Sequence, residues 1–262
     1  MTASGLTDHD PELSDLVRAR QRTDPADGST VYPVLKRTID GFDPKTDEHW
    51  VWWHGQAWAD APVWSPDTRG RLQRLTDELS DGLRDDGWVR ISRDDVFRQH
   101  ASDEPLDLFL AAMAWGFGTV GYGWRRTADI INAAGEDEVR RAVACLRKVG
   151  AEDGAAEVWR AWSWGGSAKL RGLGTAFASK VAYFASFDRS QGSGPLIADI
   201  NTAWALWALA DIWDSRAGAT HYCLYVSWAE QQAALLDCRS DDVERALFAL
   251  GRMVREIWDA DH

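Results

Sequence analysis

The chain has 262 residues, of which 45% are hydrophobic and 27% charged, and its formal net charge is −12. This composition supports a packed core of one large domain or two small ones and argues against wholesale disorder. There is no run of eighteen apolar residues and the N-terminus is acidic, so we expect neither a membrane span nor a secretory signal. We therefore expect a soluble, cytoplasmic monomer.

Metal and disulfide chemistry have little support in the sequence. The three cysteines, Cys145, Cys223 and Cys238, lie far apart, and none of the six histidines has the spacing of a metal site. We expect no disulfide framework, no iron–sulfur cluster and no catalytic metal.

The acidic balance as a whole opposes binding to nucleic acid, because phosphate contacts need cations. One stretch differs: residues 158–198 hold five basic residues and one acid. A local anion-binding surface is therefore compatible with the overall charge, although an ordinary solvent-exposed surface without a ligand would have the same composition.

Three regions follow from the composition along the chain. Residues 1–30 are polar and acidic and predict a flexible arm. Residues 31–105 form a segment rich in tryptophan, irregular at first, that is expected to pack on the core. Residues 106–262 form the predicted helical core.

Helical periodicity begins at Thr68–Leu83 and continues at Ile91–His100, where Ser92 is the expected cap. After Pro105 the pattern is helical almost throughout, with β-like residues only at Leu224–Val226. The sequence therefore predicts an all-α fold. The further predicted helices are Leu106–Trp115, Thr127–Ala134, Asp137–Lys148, Ala155–Trp164 and Ser240–Trp258, the last capped by Ser240.

A first glycine motif, Gly116 to Gly121, matches the GxGxxG pattern. A dinucleotide site needs this pattern directly after a strand. Here the preceding residues Leu110–Trp115 favour a helix, so we interpret the glycines as a turn between helices.

A second glycine motif, Leu170-Arg-Gly-Leu-Gly174, leads into a helix with the apolar stripe Phe177, Val181 and Phe184. Glycines allow a phosphate to approach main-chain N–H groups, and the positive end of the following helix favours the same anion. An ordinary turn between two helices has the same sequence pattern. Downstream, Pro195 and an apolar triplet lead to Asp199, a natural N-cap that also holds a carboxylate at the start of a helix.

Together, the Leu170–Gly174 hairpin and Ile197-Ala-Asp199 resemble the helix-hairpin-helix DNA glycosylases, and within them the 8-oxoguanine DNA glycosylase branch of bacterial type. Weaker similarity lies at Met113–Gly118 and Asp242–Phe248, so that the resemblance covers about residues 106–250. It implies two helical subdomains with a cleft between them.

The resemblance implies roles for individual residues. Asp199 would stabilise the positive charge that develops on the sugar, and Lys180 would attack C1′ as a neutral amine. The family's bifunctional members have their catalytic lysine at the position of Ala176, one helical turn before Lys180, and many have histidine at the position of Asn201.

The resemblance also implies the contacts with DNA. The backbone of the hairpin would bind a phosphate of double-stranded DNA, and the hairpin carbonyls often coordinate a monovalent cation in this family; no other cofactor is implied. Trp115 and Trp228 are candidates for the wall of the base pocket. The expected DNA-binding residues are Arg171, Gly172, Leu173, Gly174 and Thr175.

The expected activity is the removal of an oxidised or otherwise modified purine by base flipping, and 8-oxoguanine is the leading candidate for that purine. Strand cleavage through a lysine Schiff base would be a further step. Such an enzyme would work at the nucleoid. A non-catalytic DNA-binding protein and a glycosylase for modified bases of foreign DNA stay open as alternatives. A carbohydrate enzyme or carbohydrate-binding protein is a more distant alternative, suggested by the sixteen tryptophans and the many carboxylates.

Overall fold

The computed structural model describes residues 10–22, 28–42, 49–79, 86–100, 104–212, 216 and 218–262. These residues form helices and one short antiparallel sheet, which confirms the all-α prediction. Every helix in this part of the chain is too short or too polar to cross a membrane. The helices are α1 (Pro11–Gln21), α2 (Gly28–Asp40), α3 (Gly55–Ala59), α4 (Pro66–Glu78), α5 (Arg93–His100), α6 (Pro105–Phe117), α7 (Gly123–Ala134), α8 (Glu136–Glu152), α9 (Gly154–Trp162), α10 (Thr175–Ser186), α11 (Ile200–Ala210), α12 (Ala219–Leu236) and α13 (Ser240–Asp261), and the strands are β1 (Val51–Trp53) and β2 (Val89–Ile91).

The chain divides into two compact units that alternate along the sequence. The first unit consists of Met1–Pro44, Val149–Arg160 and Ser186–His262. The second consists of Lys45–Lys148 and Ala161–Ala185. Each unit is thus assembled from segments that are distant in sequence.

Helix α1 belongs to the core of the first unit. Asp10 caps it by accepting a hydrogen bond from the Leu13 amide at 3.0 Å, and Leu13 and Val17 are fully buried where α1 packs against α11 and α13. The flexible arm predicted for residues 1–30 is therefore wrong over Pro11–Gln21. A few apolar residues at helical spacing suffice to dock this helix, while its polar residues cover the outer surface. The rest of the predicted arm lies outside the described residues, apart from Arg22 and the start of α2.

Helices α11 and α13 approach each other closely in the first unit. A Cβ atom on Gly251 of α13 would lie 1.8 Å from the carbonyl oxygen of Asn201, so only glycine fits at this position. The contact fixes the first turn of α11, where Asp199 is the cap.

The second unit contains the two short strands, which the sequence did not predict. Val51 pairs with Ile91 and Trp53 with Val89 in antiparallel register, and the side chains of Trp53, Val89 and Ile91 are fully buried. Three residues are too few for an alternating pattern to stand out, and the partners lie far apart in the chain.

Two further predictions differ from the structure, and one agrees. Residues Leu224–Val226 lie within helix α12, because their neighbours on both sides favour helix. Arg239 rather than Ser240 is the N-cap of α13, and the Ser240 hydroxyl instead donates to the carbonyl of Gly192 at 2.9 Å. Ser92 does cap α5, since its hydroxyl accepts a hydrogen bond from the Asp95 amide at 3.1 Å.

The predicted helix at Thr68–Leu83 corresponds to α4, which ends at Glu78. Residues 80–83 of that prediction lie outside the described residues. The first glycine motif forms the turn between α6 and α7, as predicted, with Gly118 as the C-cap of α6 at φ 51°.

Candidate active site

In the first unit, Asp199 is held by its own cap interactions. Its Oδ1 atom accepts hydrogen bonds from the amides of Asn201 at 2.9 Å and Thr202 at 3.1 Å. The Thr202 hydroxyl in turn accepts from the Asp199 amide at 2.9 Å, which completes a capping box. Asp199 is 8% exposed, so its carboxylate is oriented rather than free to rotate in solvent.

Two tyrosines of α12 fix the segment that leads to Asp199. The Tyr222 hydroxyl hydrogen-bonds to the backbone of Leu196, and the Tyr225 hydroxyl donates to the carbonyl of Ile197 at 2.9 Å. Both rings are fully buried, and burial raises the pKa of Tyr222. The sequence analysis missed this pair, although their spacing of three residues would place both on one face of a helix.

The loop from Asp188 to Gly194 closes on itself. The Asp188 carboxylate accepts hydrogen bonds from the amides of Ser190 at 2.8 Å and Gln191 at 3.1 Å. Its backbone pairs with Ser193, and Gly194 adopts φ 137°. Residues 188–194 thus form a compact turn that leads to Leu196.

In the second unit, the Leu170–Gly174 hairpin joins the end of α9 to α10. Gly172 has φ 86°, which favours glycine, and its Cα faces Ile130 of α7, since an added Cβ would lie 3.4 Å from that side chain. Arg171, Gly172 and Gly174 are exposed, Leu173 is buried and Thr175 is partly buried as the first residue of α10. The hairpin thereby places exposed backbone at a helix N-terminus, an arrangement that suits an anion.

One hairpin carbonyl has a lysine side chain as its neighbour. The ammonium nitrogen of Lys169 lies 3.4 Å from the carbonyl oxygen of Leu173. Elsewhere among the described residues, no cluster of three or more histidine, cysteine, aspartate or glutamate side chains could hold a metal ion.

Lys180 lies on the buried face of α10 and is 8% exposed. Its ammonium nitrogen is 3.5 Å from the carbonyl oxygen of Ala176 and 5.5 Å from the centre of the Phe177 ring. Gly116 of α6 provides the space, because a Cβ there would lie 2.7 Å from Phe177 and 3.0 Å from the Cδ atom of Lys180. Gly116, the first glycine of the first motif, is thus required for the packing of Lys180.

The Trp115 side chain lies next to this lysine region and is 5% exposed. Its indole N–H donates to the carbonyl of His49 at 2.9 Å, and the two rings meet edge-on at 5.2 Å. The guanidinium of Arg93 lies over Trp115 at 5.3 Å and over Tyr183 at 5.1 Å. The second unit therefore brings Lys180 and Trp115 together, and it adds His49 and Arg93, which the sequence analysis missed.

The ring of His49 is held in its neutral form. Burial lowers the pKa of His49 well below its usual value, and the positive charges of Arg93 and Lys180 lower it further. No local pattern in the sequence connects these residues, since they come from three separate segments.

The remaining predicted pocket residue, Trp228, belongs to the first unit. It is partly buried on α12. Asp199 and Trp228 thus lie in the first unit, and Lys180, Trp115 and the hairpin in the second.

Comparison with known proteins identifies the family. Neither the curated proteins nor the solved structures compared with the chain include a match. A family model described as "Putative 8-oxoguanine DNA glycosylase OGG-like protein" matches residues 44–248, which include the hairpin, Lys180 and Asp199. The chain therefore belongs to the OGG-like family of DNA glycosylases.

Proposed function

We propose that this protein excises an oxidised purine from duplex DNA, with Lys180 as the nucleophile. The leading candidate for the substrate base is 8-oxoguanine. The observation that carries the proposal is the buried amine of Lys180, 3.5 Å from the Ala176 carbonyl. Helical side chains lean towards the N-terminus of their helix, so Lys180 carries its amine back to the level of Ala176. That is the position at which the family's bifunctional members have their catalytic lysine.

The chemistry follows from a neutral amine at the sugar. The nitrogen of Lys180 bonds to C1′, and the bond from C1′ to the base breaks, with its electron pair leaving on the base. The proton released from the amine neutralises the departing base. Opening of the sugar ring then gives a Schiff base, and loss of a proton from C2′ expels the 3′ phosphate and cuts the strand.

Asp199 is proposed to stabilise the transition state. The glycosidic bond breaks through a state with positive charge on the sugar, and a fixed carboxylate nearby lowers its energy. The capping box supports this role because it orients the carboxylate before DNA binds, at no further cost during the reaction.

The hairpin is proposed to bind a phosphate of the duplex through the main-chain N–H groups at residues 172–175, with Arg171 as a flanking cation. Its exposed backbone and the N-terminus of α10 support this assignment. The protein would thereby bind DNA locally in spite of its net charge of −12.

The test uses duplexes that each carry one 8-oxoguanine, hypoxanthine, uracil or alkylated purine. Half of each reaction is treated with alkali, which cuts at any abasic site, and half with borohydride, which traps a Schiff base. We expect both a cut and a trapped adduct with 8-oxoguanine. Lys180→Gln should abolish the adduct, and Lys148→Gln, a change of an exposed lysine on α8, should leave it intact.

Other outcomes would change the proposal. A cut that appears only after alkali would mean base removal without Lys180 as nucleophile. Binding without any cut would favour a non-catalytic DNA-binding protein, the candidate that Ala176 at the family's lysine position supports, or a glycosylase for a modified base of foreign DNA.

A further inference from the structure

The backbone of His49 has a left-handed conformation that residues other than glycine rarely adopt. Of the described residues other than glycine, three have positive φ: His49 at 40°, Asp211 at 57° and Asp237 at 53°. Asp211 and Asp237 are left-handed C-caps of α11 and α12, an ordinary position for this conformation. His49, by contrast, is the C-cap of none of the described helices. Such strain persists only where the surroundings maintain it, and the hydrogen bond from the Trp115 indole to the His49 carbonyl does so here.

The His49 ring and Lys180 contact consecutive residues of α6. His49 packs edge-on against Trp115 at 5.2 Å. Lys180 passes Gly116, the next residue, at a distance that leaves no room for a Cβ atom. The imidazole and the proposed nucleophile therefore belong to one cluster, in which Arg93 also lies over the Trp115 ring at 5.3 Å.

The charges of this cluster define what it can bind. A neutral imidazole offers one hydrogen-bond donor and one acceptor. Next to it the guanidinium of Arg93 lies over the Trp115 ring, and the hydroxyl of Tyr183 is 3.4 Å from that guanidinium. Positive surroundings favour a ligand atom with negative charge, such as a carbonyl oxygen, over an amino group.

We propose that His49 recognises the extruded base, through a hydrogen bond from its imidazole N–H to a carbonyl oxygen of an oxidised or deaminated purine. The inference rests on the proposed function, because it places the base next to Lys180. When C1′ is within bonding distance of the lysine nitrogen, the base attached to C1′ must lie among the groups around that nitrogen. Trp115 then supplies an apolar wall, Arg93 a positive charge and His49 the specific hydrogen bond.

The experiment uses His49→Asn, which is chosen to preserve the fold. Asparagine tolerates left-handed backbone better than most residues. The bond from Trp115 ends on a main-chain carbonyl, so the substitution leaves it in place. Two reactions are compared under single-turnover conditions, namely excision of 8-oxoguanine and borohydride trapping on a duplex with a preformed abasic site.

We expect His49→Asn to lower the excision rate about tenfold or more, since one hydrogen bond to the base is lost. Trapping at the preformed abasic site should proceed at the wild-type rate, because no base occupies the pocket there. The preference for 8-oxoguanine over 3-methyladenine, which has an amino group in place of a carbonyl, should also fall.

The matched control is His54→Asn. His54 is another histidine of the second unit that meets a tryptophan edge-on, Trp88 at 5.1 Å, and its ring caps α3. Asparagine is a good N-cap, so both reactions should stay at the wild-type rate.

Several results would overturn the inference. Unchanged excision by His49→Asn would remove His49 from base recognition, and an equal loss of both reactions would assign it a structural role. If the wild type excises without forming an adduct, binding of a duplex with a tetrahydrofuran abasic analogue replaces trapping as the measurement without a base. A wild type that binds DNA and excises nothing would remove the proposed function, and this inference with it.

Discussion

The hydroxyl of Tyr222 makes two hydrogen bonds with Leu196, accepting from its amide at 3.0 Å and donating to its carbonyl at 2.8 Å. Leu196 lies three residues before Asp199, and both partners are fully buried. The phenol group of Tyr222 thus supplies both backbone hydrogen bonds of Leu196, which a neighbouring strand would supply in a sheet. The segment held in this way leads to the carboxylate of Asp199.

Tyr222→Phe should therefore destabilise the first unit. The change leaves a buried N–H and a buried carbonyl without their partner, which should cost about 2–4 kcal/mol of unfolding free energy. Urea unfolding measures this. Tyr225→Phe is the control, since it removes one hydrogen bond, to the carbonyl of Ile197, and should cost about half as much. Equal losses in the two variants would contradict the pairing with Leu196.

Two substitutions separate the two roles of Asp199. Asparagine is as good an N-cap as aspartate but carries no charge, so Asp199→Asn should keep stability within about 0.5 kcal/mol and lower the excision rate by a factor of about 100 or more. Asp199→Ala should lose the same activity and about 1 kcal/mol of stability besides. Full activity of the asparagine variant would show that the carboxylate takes no part in catalysis.

Gly116→Ala tests whether α6 makes the space for Lys180. The new Cβ would lie 2.7 Å from the Phe177 ring and 3.0 Å from the lysine Cδ, so the side chain of Lys180 must move. A nucleophile displaced by a fraction of an ångström should react about tenfold to a hundredfold more slowly in borohydride trapping. Gly121→Ala is the control, because nothing lies within 4 Å of a Cβ there. Trapping at the wild-type rate in both variants would mean that Lys180 is not the nucleophile.

Gly251→Ala should destabilise the protein, although alanine favours helix. The Cβ atom would meet the Asn201 carbonyl, so α13 must move away from α11 at a cost of about 3 kcal/mol. Gly70→Ala in α4 serves as the comparison, because the only atom near its Cβ would be a guanidinium nitrogen of Arg74 at 3.8 Å. This substitution should increase the free energy of unfolding by about 0.5–1 kcal/mol. Thermal or urea unfolding of the two variants measures whether each substitution raises or lowers stability.

The neutral state of His49 predicts a loss of stability in acid. In the unfolded chain this histidine has a pKa of about 6.5. In the folded protein its pKa is lower, because of burial and the positive charges of Arg93 and Lys180. Stability should therefore decrease as the pH falls below about 6.5, by at most about 1.4 kcal/mol per pH unit from this group. Urea midpoints between about pH 7.5 and pH 5 should fall less steeply for His49→Asn. Parallel curves for the two proteins would contradict a lowered pKa of His49.

The local parts of the candidate site could be predicted from the sequence. Asp199 was recognisable because a proline, an apolar triplet and an acid before a helix form a contiguous signal. The hairpin turn followed from glycine spacing in the same way, whereas Lys180 became a candidate only through the resemblance to the DNA glycosylases. Each of these features depends on residues within one or two turns of one another.

The surroundings of these residues could not be predicted, because they depend on contacts between distant segments. His49 contacts Trp115 from the segment before β1, and Arg93 contacts it from the first residue of α5. Neither stands in a pattern that marks it, and the positive φ of His49 is visible only in the structure. The strands and α1 were missed for a related reason, since three paired residues, or three buried apolar residues in a polar helix, give too weak a periodicity.

The docking of α1 against α11 and α13 has a consequence for how the protein is made in the cell. Arg18 of α1 pairs with Asp261 of α13 at 3.7 Å, so these contacts join segments from opposite ends of the sequence. During translation α1 is synthesised long before α11 and α13, so its buried leucines have no packing partners until those helices are made. We therefore expect the first unit to complete folding only after α13 has been synthesised, and the exposed apolar residues of α1 to be substrates for chaperones until then.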